Sequence, residues 1–147
     1  LFDKVIECIG GVLERDYFGL RYLDKNKQRQ WIDLSKTVYK QLKHVIPRSL
    51  NFRVKHYPAR PLEELKQEKS RYFLYLQLRR DLHSGRLIGR TNDMHVLAAH
   101  ILQAEIGDID KLEDYLGKNG SLADLKMFEN MTPRVEAKIR DIYKTLR

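Results

Sequence analysis

The amino-acid sequence predicts an α+β fold in which a small β-rich segment is followed by a bundle of helices. In the predicted strands between Tyr17 and Tyr57 apolar residues recur at every second position, which is the period of a strand with one buried face. After residue 60 they recur at helical spacing, and Pro58 and Pro61 mark the change. An apolar fraction of 42% is sufficient for a core in 147 residues, a length of about one to one and a half domains.

The chain opens with a predicted helix over Leu1–Ile9, which Gly10-Gly11 ends because glycine tolerates a left-handed backbone. The helical spacing places Cys8 on the apolar face, where we expect it to be packed and inert. A single cysteine excludes an internal disulfide and favours a reducing compartment. Because the chain begins without an initiator methionine, we expect it to be a fragment of a longer protein.

The next part of the chain is predicted to form a small sheet. Phe18 and Leu20 alternate with Gly19 and Arg21, and a polar stretch with turn formers follows, which is typical of a hairpin. The predicted elements, in order, are a strand at Tyr17–Leu23, a strand at Gln30–Leu34, a helical turn at Ser35–Leu42 and a strand at Leu50–Tyr57.

The second half is predicted to be helical. One long helix is expected from Pro61 to Gly85, because no glycine or proline interrupts it. Aromatic residues and leucines fill Tyr72–Leu76 at its centre, and we interpret them as core, since each gains about 1.5–3 kcal/mol on burial. The remaining predictions are helices at Thr91–Ile106 and Asp108–Leu116, a loop at Gly117–Asn130, and a helix that Thr132 caps, with Pro133 in its first turn.

The positive charge is concentrated in one segment. Of the net +8, residues Arg21 to Arg60 contribute eleven Lys/Arg against two Asp/Glu, whereas residues 108–147 have eight of each sign. Such a segment favours an acidic partner, either anionic lipid, nucleic acid or an acidic protein tail. Its densest cationic stretch consists of Lys25, Lys27, Arg29, Lys36, Lys40 and Lys43.

Sequence patterns of enzymes are not found in this chain. It has no Gly-rich phosphate loop, nucleophile elbow or zinc-type cysteine pair. The five histidines are scattered, and His95 and His100 are five apart, so on a helix they point in different directions. We therefore predict no catalytic activity, no cofactor and no metal site.

Five stretches together resemble the FERM domain of the band 4.1, ezrin-radixin-moesin and FERM-containing tyrosine phosphatase families. They occur in that family's order and spacing, cover about two thirds of the chain, and are most similar to the band 4.1-like branch. The stretches are LERDYFGLRYLD (Leu13–Asp24), QWIDLSKTVYKQL (Gln30–Leu42), FRVKHYP (Phe52–Pro58), RYFLYLQLRRDLHSGRL (Arg71–Leu87) and LAAHILQAEIGDID (Leu97–Asp110).

The resemblance implies two lobes of a three-lobed module. Residues 1–58 would be a ubiquitin-like β-grasp lobe without its opening hairpin, and residues 59–147 an acyl-CoA-binding-protein-like helical bundle without its last helices. The implied function is a non-catalytic adaptor at the cytoplasmic face of the plasma membrane and the cell cortex. Its implied partners are cytoplasmic tails of membrane proteins, anionic phospholipid headgroups and cytoskeletal proteins.

The resemblance also implies a phosphoinositide site, in which Trp31 and Lys36 match family residues and Asp33 stands where the family has a second lysine. Near an anionic leaflet each cation contributes about 1 kcal/mol, subject to screening by salt. The predicted anion-binding residues are Lys25, Lys27, Arg29, Trp31, Lys36 and Lys40.

Simpler interpretations remain open for these residues. Lys25–Arg29 is equally well explained as a solvated turn, Trp31 as packing within the sheet, and Arg53 and Lys55 as the outer side of a strand. Two other functions compete with lipid binding: a protein-only scaffold, and a basic nucleic-acid-binding module. We do not expect nucleic acid to be a partner, because the segment lacks a recognition helix and most of its aromatic residues are predicted to face inward.

Overall fold

Strands and helices segregate along the chain as the sequence predicts, and the α+β class is confirmed. The computed structural model describes residues 1–125 and 127–146. It divides into two compact units, Leu1–Gln77 and Leu78–Arg147. The elements are α1 (Phe2–Cys8), β1 (Phe18–Leu23), β2 (Arg29–Trp31), α2 (Val38–Leu42), β3 (Asn51–Val54), α3 (Pro61–Glu64), α4 (Glu68–His83), α5 (Thr91–Ile106), α6 (Ile109–Asn119) and α7 (Pro133–Tyr143).

The three strands form an antiparallel sheet with the order β2-β1-β3. Arg21 lies opposite both Trp31 and Asn51, and Gly19 lies opposite Arg53. Because side chains alternate along a strand, this register assigns each residue to one of two faces. The inner face consists of Phe18, Leu20, Tyr22, Gln30, Phe52 and Val54. The outer face consists of Gly19, Arg21, Leu23, Arg29, Trp31, Asn51, Arg53 and, just beyond the ends of β2 and β3, Asp33 and Lys55.

An aromatic cluster forms the core against the inner face. Phe18 stacks on Phe52 with ring centroids 5.1 Å apart, and Phe2 of α1 stacks on the other side of Phe52 at 6.4 Å. Phe73 meets Phe52 edge-on at 5.1 Å. The first part of α4 thereby contributes to the core of the sheet-containing unit, which explains why that unit extends to Gln77.

The single helix predicted from Pro61 to Gly85 is wrong, because α3 ends at Glu64 and α4 begins at Glu68. The cause is the Glu14 carboxylate, which accepts the backbone N–H groups of Lys66 (2.8 Å) and Gln67 (3.0 Å) and the hydroxyl of the fully buried Ser70. These donors belong to the start of α4, where backbone N–H groups have no partner within the helix. Glu14 therefore caps α4 from a distant part of the chain.

Two other expectations about side chains in this unit are also wrong. Cys8 is exposed, because α1 buries Phe2 and Ile6 and the cysteine lies on the opposite side. Tyr72 is 54% exposed although it was expected in the core, whereas Leu74 is buried. A helix with apolar residues at five consecutive positions cannot bury all of them against one neighbour.

The second unit is built on α5 and α7, which pack against each other. Ala98, Ala99 and Leu102 of α5 and Ile139 of α7 are fully buried. The predicted start of α7 is confirmed, since Thr132 Oγ1 accepts the backbone N–H of Val135 at 3.3 Å. The predicted bounds of α5 are confirmed, with Arg90 at its N-cap, whereas α6 runs on to Asn119, beyond the expected Leu116.

A buried histidine makes the second unit sensitive to acid. His95 is 5% exposed, packs edge-on against Phe128 at 6.2 Å, and its Nδ1 has no hydrogen-bond partner among the described residues. Burial, with a smaller effect from the Lys138 charge, lowers the pKa of His95 below its ordinary value of 6.5. The unfolded chain therefore binds this proton more readily, and stability falls as the pH drops below 6.5.

We predict that His95→Leu removes this acid sensitivity. The free energy of unfolding of the wild type should fall between pH 6.5 and 5 with a slope of at most about 1.4 kcal/mol per pH unit. Amide hydrogen exchange in α5, recorded at several pH values, measures this slope. The control is His44→Leu, which removes an exposed histidine. A wild-type slope that persists in His95→Leu would contradict the prediction.

Candidate anion-binding surface

The turn between β1 and β2 is held by Asp24, which leaves the neighbouring lysines exposed. Asp24 Oδ1 accepts the backbone N–H groups of Asn26 (2.8 Å) and Gln28 (2.9 Å), and its Oδ2 accepts from Gln30 Nε2 at 3.2 Å. These bonds, the one from Gln28 above all, lower the pKa of Asp24. The acid is thus engaged within the turn, while the side chains of Lys25 and Lys27 point into solvent.

Trp31 lies on the outer face of the sheet and not in the core. The Arg21 guanidinium lies over the indole at 6.0 Å from the ring centroid, in cation–π geometry. A Cβ at Gly19 would come within 3.0 Å of Trp31 Cε3 and 3.3 Å of Lys55 Cδ, so only glycine leaves room for these two side chains. The half-exposed indole is therefore held over the backbone of β1 between two cationic residues.

The outer face has positive charge on all three strands. Arg53 of β3 donates to the Phe52 carbonyl (2.8 Å) and to Asn51 Oδ1 (3.2 Å), which holds its guanidinium along the strand. Leu23 lies opposite Arg29 and is 51% exposed. Cations and apolar side chains alternate here. Within the three strands no outer-face residue is acidic, and Asp33, just beyond β2, is paired with Lys36.

The structure separates the predicted site residues into two groups. Arg29 and Trp31 lie on the outer face, and Lys25 and Lys27 lie on the adjoining turn. Lys36 is instead paired with Asp33 at 2.8 Å. Lys40 is exposed on α2, outside the sheet.

The ion pair changes the charge that Lys36 can offer. Hydrogen bonds from Lys36, and then from the Ser35 hydroxyl and backbone N–H, hold the pKa of Asp33 far below its usual range, and the same pair raises the pKa of Lys36. Both groups are charged at neutral pH and largely cancel each other. Because Asp33 neutralises Lys36, it weakens the attraction of this position for an anion.

Sequence reasoning missed three cations of the outer face, namely Arg21, Arg53 and Lys55, as parts of a site. The period-two pattern had placed Arg53 and Lys55 on the outer side of their strand. What it could not provide was the register that sets Arg21 beside Trp31 and Gly19 beside Arg53. Elsewhere in the described part of the chain, no cluster of three or more His, Cys, Asp or Glu is arranged to hold a metal ion.

Comparison with known proteins gives the class of this chain. The sequence profile of the FERM N-terminal domain matches residues 1–44, and that of the FERM central domain matches residues 60–147. The structure is similar to the FERM and C-terminal domain complex of Drosophila Merlin, with a TM-score of 0.75 and 26% identity over 97% of this chain and 50% of that one. The chain belongs to the FERM domain family. The predicted fold, a partial ubiquitin-like lobe followed by an acyl-CoA-binding-protein-like bundle, is confirmed.

Within the family, the predicted resemblance to band 4.1-like proteins is also confirmed. The chain is 40% identical to band 4.1-like protein 2 of Homo sapiens over 150 residues, which cover all of this chain. It is 36% identical to protein 4.1 of Canis lupus familiaris over 147 residues. The chain spans 14% and 17% of the lengths of these two relatives. Among the described helices, none has the length and apolarity that crossing a membrane requires.

Proposed function

We propose that this chain is a non-catalytic FERM adaptor that links plasma-membrane proteins to the cortical cytoskeleton at the inner face of the membrane. Membership of the FERM family and identity of 36–40% to band 4.1-like proteins support this role. We also propose residues 1–58 and 59–147 as its first and second lobes, in agreement with profile matches that end at 44 and begin at 60.

We further propose that it binds anionic phospholipid headgroups through the basic hairpin. The observation that supports this most is the partly exposed Trp31 beside Arg29 and Arg21, on strands whose outer face has no acidic residue, next to the exposed Lys25 and Lys27. Several cations within a Debye length of a leaflet, about 8–10 Å, act together on the same surface charge. Lys36 and Lys40 belong to the proposal as peripheral contacts, and the partner of Lys36 reduces its share.

Sedimentation with vesicles tests the lipid assignment. Wild type should pellet with vesicles that contain phosphatidylserine or phosphatidylinositol bisphosphate and remain in the supernatant with phosphatidylcholine. Lys25→Glu/Lys27→Glu should weaken the partition by about fivefold or more for each charge unit lost. Equal pelleting of both proteins would refute the proposed role of the hairpin.

The Asp33–Lys36 pair gives a prediction of opposite sign. Asp33→Asn keeps an oxygen for the Ser35 hydrogen bonds but removes the negative charge, so that the Lys36 ammonium becomes available to the membrane. We expect about fivefold stronger partition into anionic vesicles. Asp110→Asn, which removes an exposed acid from the second unit, is the control. If both variants bind alike, Asp33 does not act through Lys36.

Nucleic acid is the second candidate, and one observation favours it. Trp31 on a cationic face could stack on a base, as aromatic residues do in proteins that bind single strands. Among the other aromatic residues of this sheet, Phe18 and Phe52 are in the inner cluster, and the register places Tyr22 on the same inner face. A titration with single-stranded RNA in the same buffer tests the alternative: binding to RNA without binding to vesicles would replace the lipid proposal. A protein-only scaffold would bind neither.

A further inference from the structure

Two apolar side chains reach the surface among the cations of the outer face, one exposed and the other partly buried. Leu23 is 51% exposed opposite Arg29, and Trp31 is half-exposed opposite Arg21. The core of the unit does not use them, since it lies against the inner face. From this juxtaposition we infer that the outer face of the sheet is itself a membrane-contacting surface. It would lie flat on an anionic bilayer, with Trp31 and Leu23 in the interfacial region and Arg21, Arg29, Arg53 and Lys55 on the phosphates. This inference rests on the proposed lipid binding and adds its orientation and its anchors.

The dimensions of the sheet fit such a surface. Neighbouring strands are about 4.8 Å apart, so cations on three strands span about 10 Å across the sheet, with Trp31 at one edge strand. The cationic area then continues past Arg29 to Lys25 and Lys27 on the turn. A bilayer presents phosphates in all directions of a plane and can meet every one of these charges at once.

The side chains also suit the interface chemically. Tryptophan is enriched at membrane surfaces, because its ring is apolar and its N–H can still hydrogen-bond. Arginine and lysine can lay their apolar stems beside it while their charged ends reach the headgroups. Gly19 allows the indole and the Lys55 stem to lie against the backbone, so that both are positioned before contact.

An acidic peptide is the competing occupant, and the geometry favours it less. An extended peptide crosses only part of a three-stranded face, and leaves either the β3 cations or the turn lysines without an anion. Binding of an acidic peptide also does not explain why Leu23 is exposed. The bilayer accounts for both the apolar and the cationic residues.

The single tryptophan makes a direct test possible, because all tryptophan emission comes from Trp31. The protein is mixed with phosphatidylserine–phosphatidylcholine vesicles whose acyl chains are either plain or brominated. We expect a blue shift with plain vesicles and strong quenching with brominated ones, since bromine quenches only an indole that enters the interface. Lys55→Glu changes the charge by two units and should weaken partition by about 25-fold, at about fivefold for each unit. Leu23→Ser, a change at an exposed position, should weaken it severalfold without affecting the fold.

The control is Lys4→Glu, the same charge change on the exposed side of α1. Because α1 packs on the inner side through Phe2, this position is remote from the outer face, and we expect a loss of about twofold or less. Failure of the wild type to bind anionic vesicles would refute the proposed lipid function itself. Pelleting without quenching, or equal losses for Lys55→Glu and Lys4→Glu, would refute only the outer-face orientation. A blue shift with soluble poly-glutamate but not with vesicles would assign the face to an acidic peptide instead.

Discussion

Phe18→Ala is expected to lower the free energy of unfolding of the first unit by about 3–5 kcal/mol. Phe18 is 4% exposed and lies between two other rings, stacked on Phe52 at 5.1 Å and edge-on to Phe73 at 6.1 Å. Truncation removes the burial of one ring and leaves a cavity where β1, β3 and α4 meet. The ring contacts of Phe18 are lost as well, and each aromatic pair contributes about 0.5–1.5 kcal/mol in addition to the burial of its apolar area.

Chemical denaturation followed by Trp31 emission measures this loss, because the only tryptophan lies in the same sheet. The matched control is Tyr39→Ala, an aromatic truncation on α2 at a residue that is 72% exposed. It should change the free energy of unfolding by about 0.5 kcal/mol or less. Similar losses in the two variants would mean that the cluster is not the core of this unit.

Local patterns predicted those parts of the fold that local interactions determine. The alternation of Phe18 and Leu20 found β1, and the Thr132-Pro133 pair found the start of α7 because the cap is made by residues three apart. The break before α4 has no such signal. It depends on Glu14, which is 52 and 53 residues away along the chain from the two backbone N–H groups that donate to its carboxylate.

The candidate surface was predicted only in part, because some of its contacts depend on strand pairing, which local sequence patterns do not give. Arg29 and Trp31 were found from composition and resemblance, whereas Arg21 belongs beside Trp31 only through the register of β1 and β2. The pairing of Lys36 depends on the neighbouring Asp33, at a distance that the sequence does not give. Charge density along the chain therefore located the basic segment, but it did not show which cations of that segment share a face.

Glu14→Ala is expected to destabilise the first unit by about 3 kcal/mol, because it leaves three donors at the start of α4 without their acceptor. Two are the backbone N–H groups of Lys66 and Gln67, and the third is the hydroxyl of Ser70, which is 0% exposed. Water can reach the exposed Lys66 but not Ser70, whose remaining acceptor is Gln67 Oε1 at 3.4 Å, so the buried hydroxyl makes the largest single contribution to the cost. The negative charge at the N-terminus of α4 is lost as well. Trp31 emission during denaturation again measures the change.

Two variants and a pH series separate the role of the Glu14 charge from that of its oxygens. Glu14→Gln keeps one acceptor oxygen and should cost about half as much as Glu14→Ala, while Glu7→Ala, at an exposed position of α1, should cost little. Burial raises the pKa of Glu14, but the hydrogen bonds from Ser70, Gln67 and Lys66 outweigh it, and the pKa lies below its ordinary value of 4.5. Its stabilising effect is therefore complete above pH 4.5 and is lost as the pH falls through the lowered pKa. Glu14→Gln should flatten this acid dependence of unfolding, and an unchanged acid profile would show that the ionised carboxylate does not hold the start of α4.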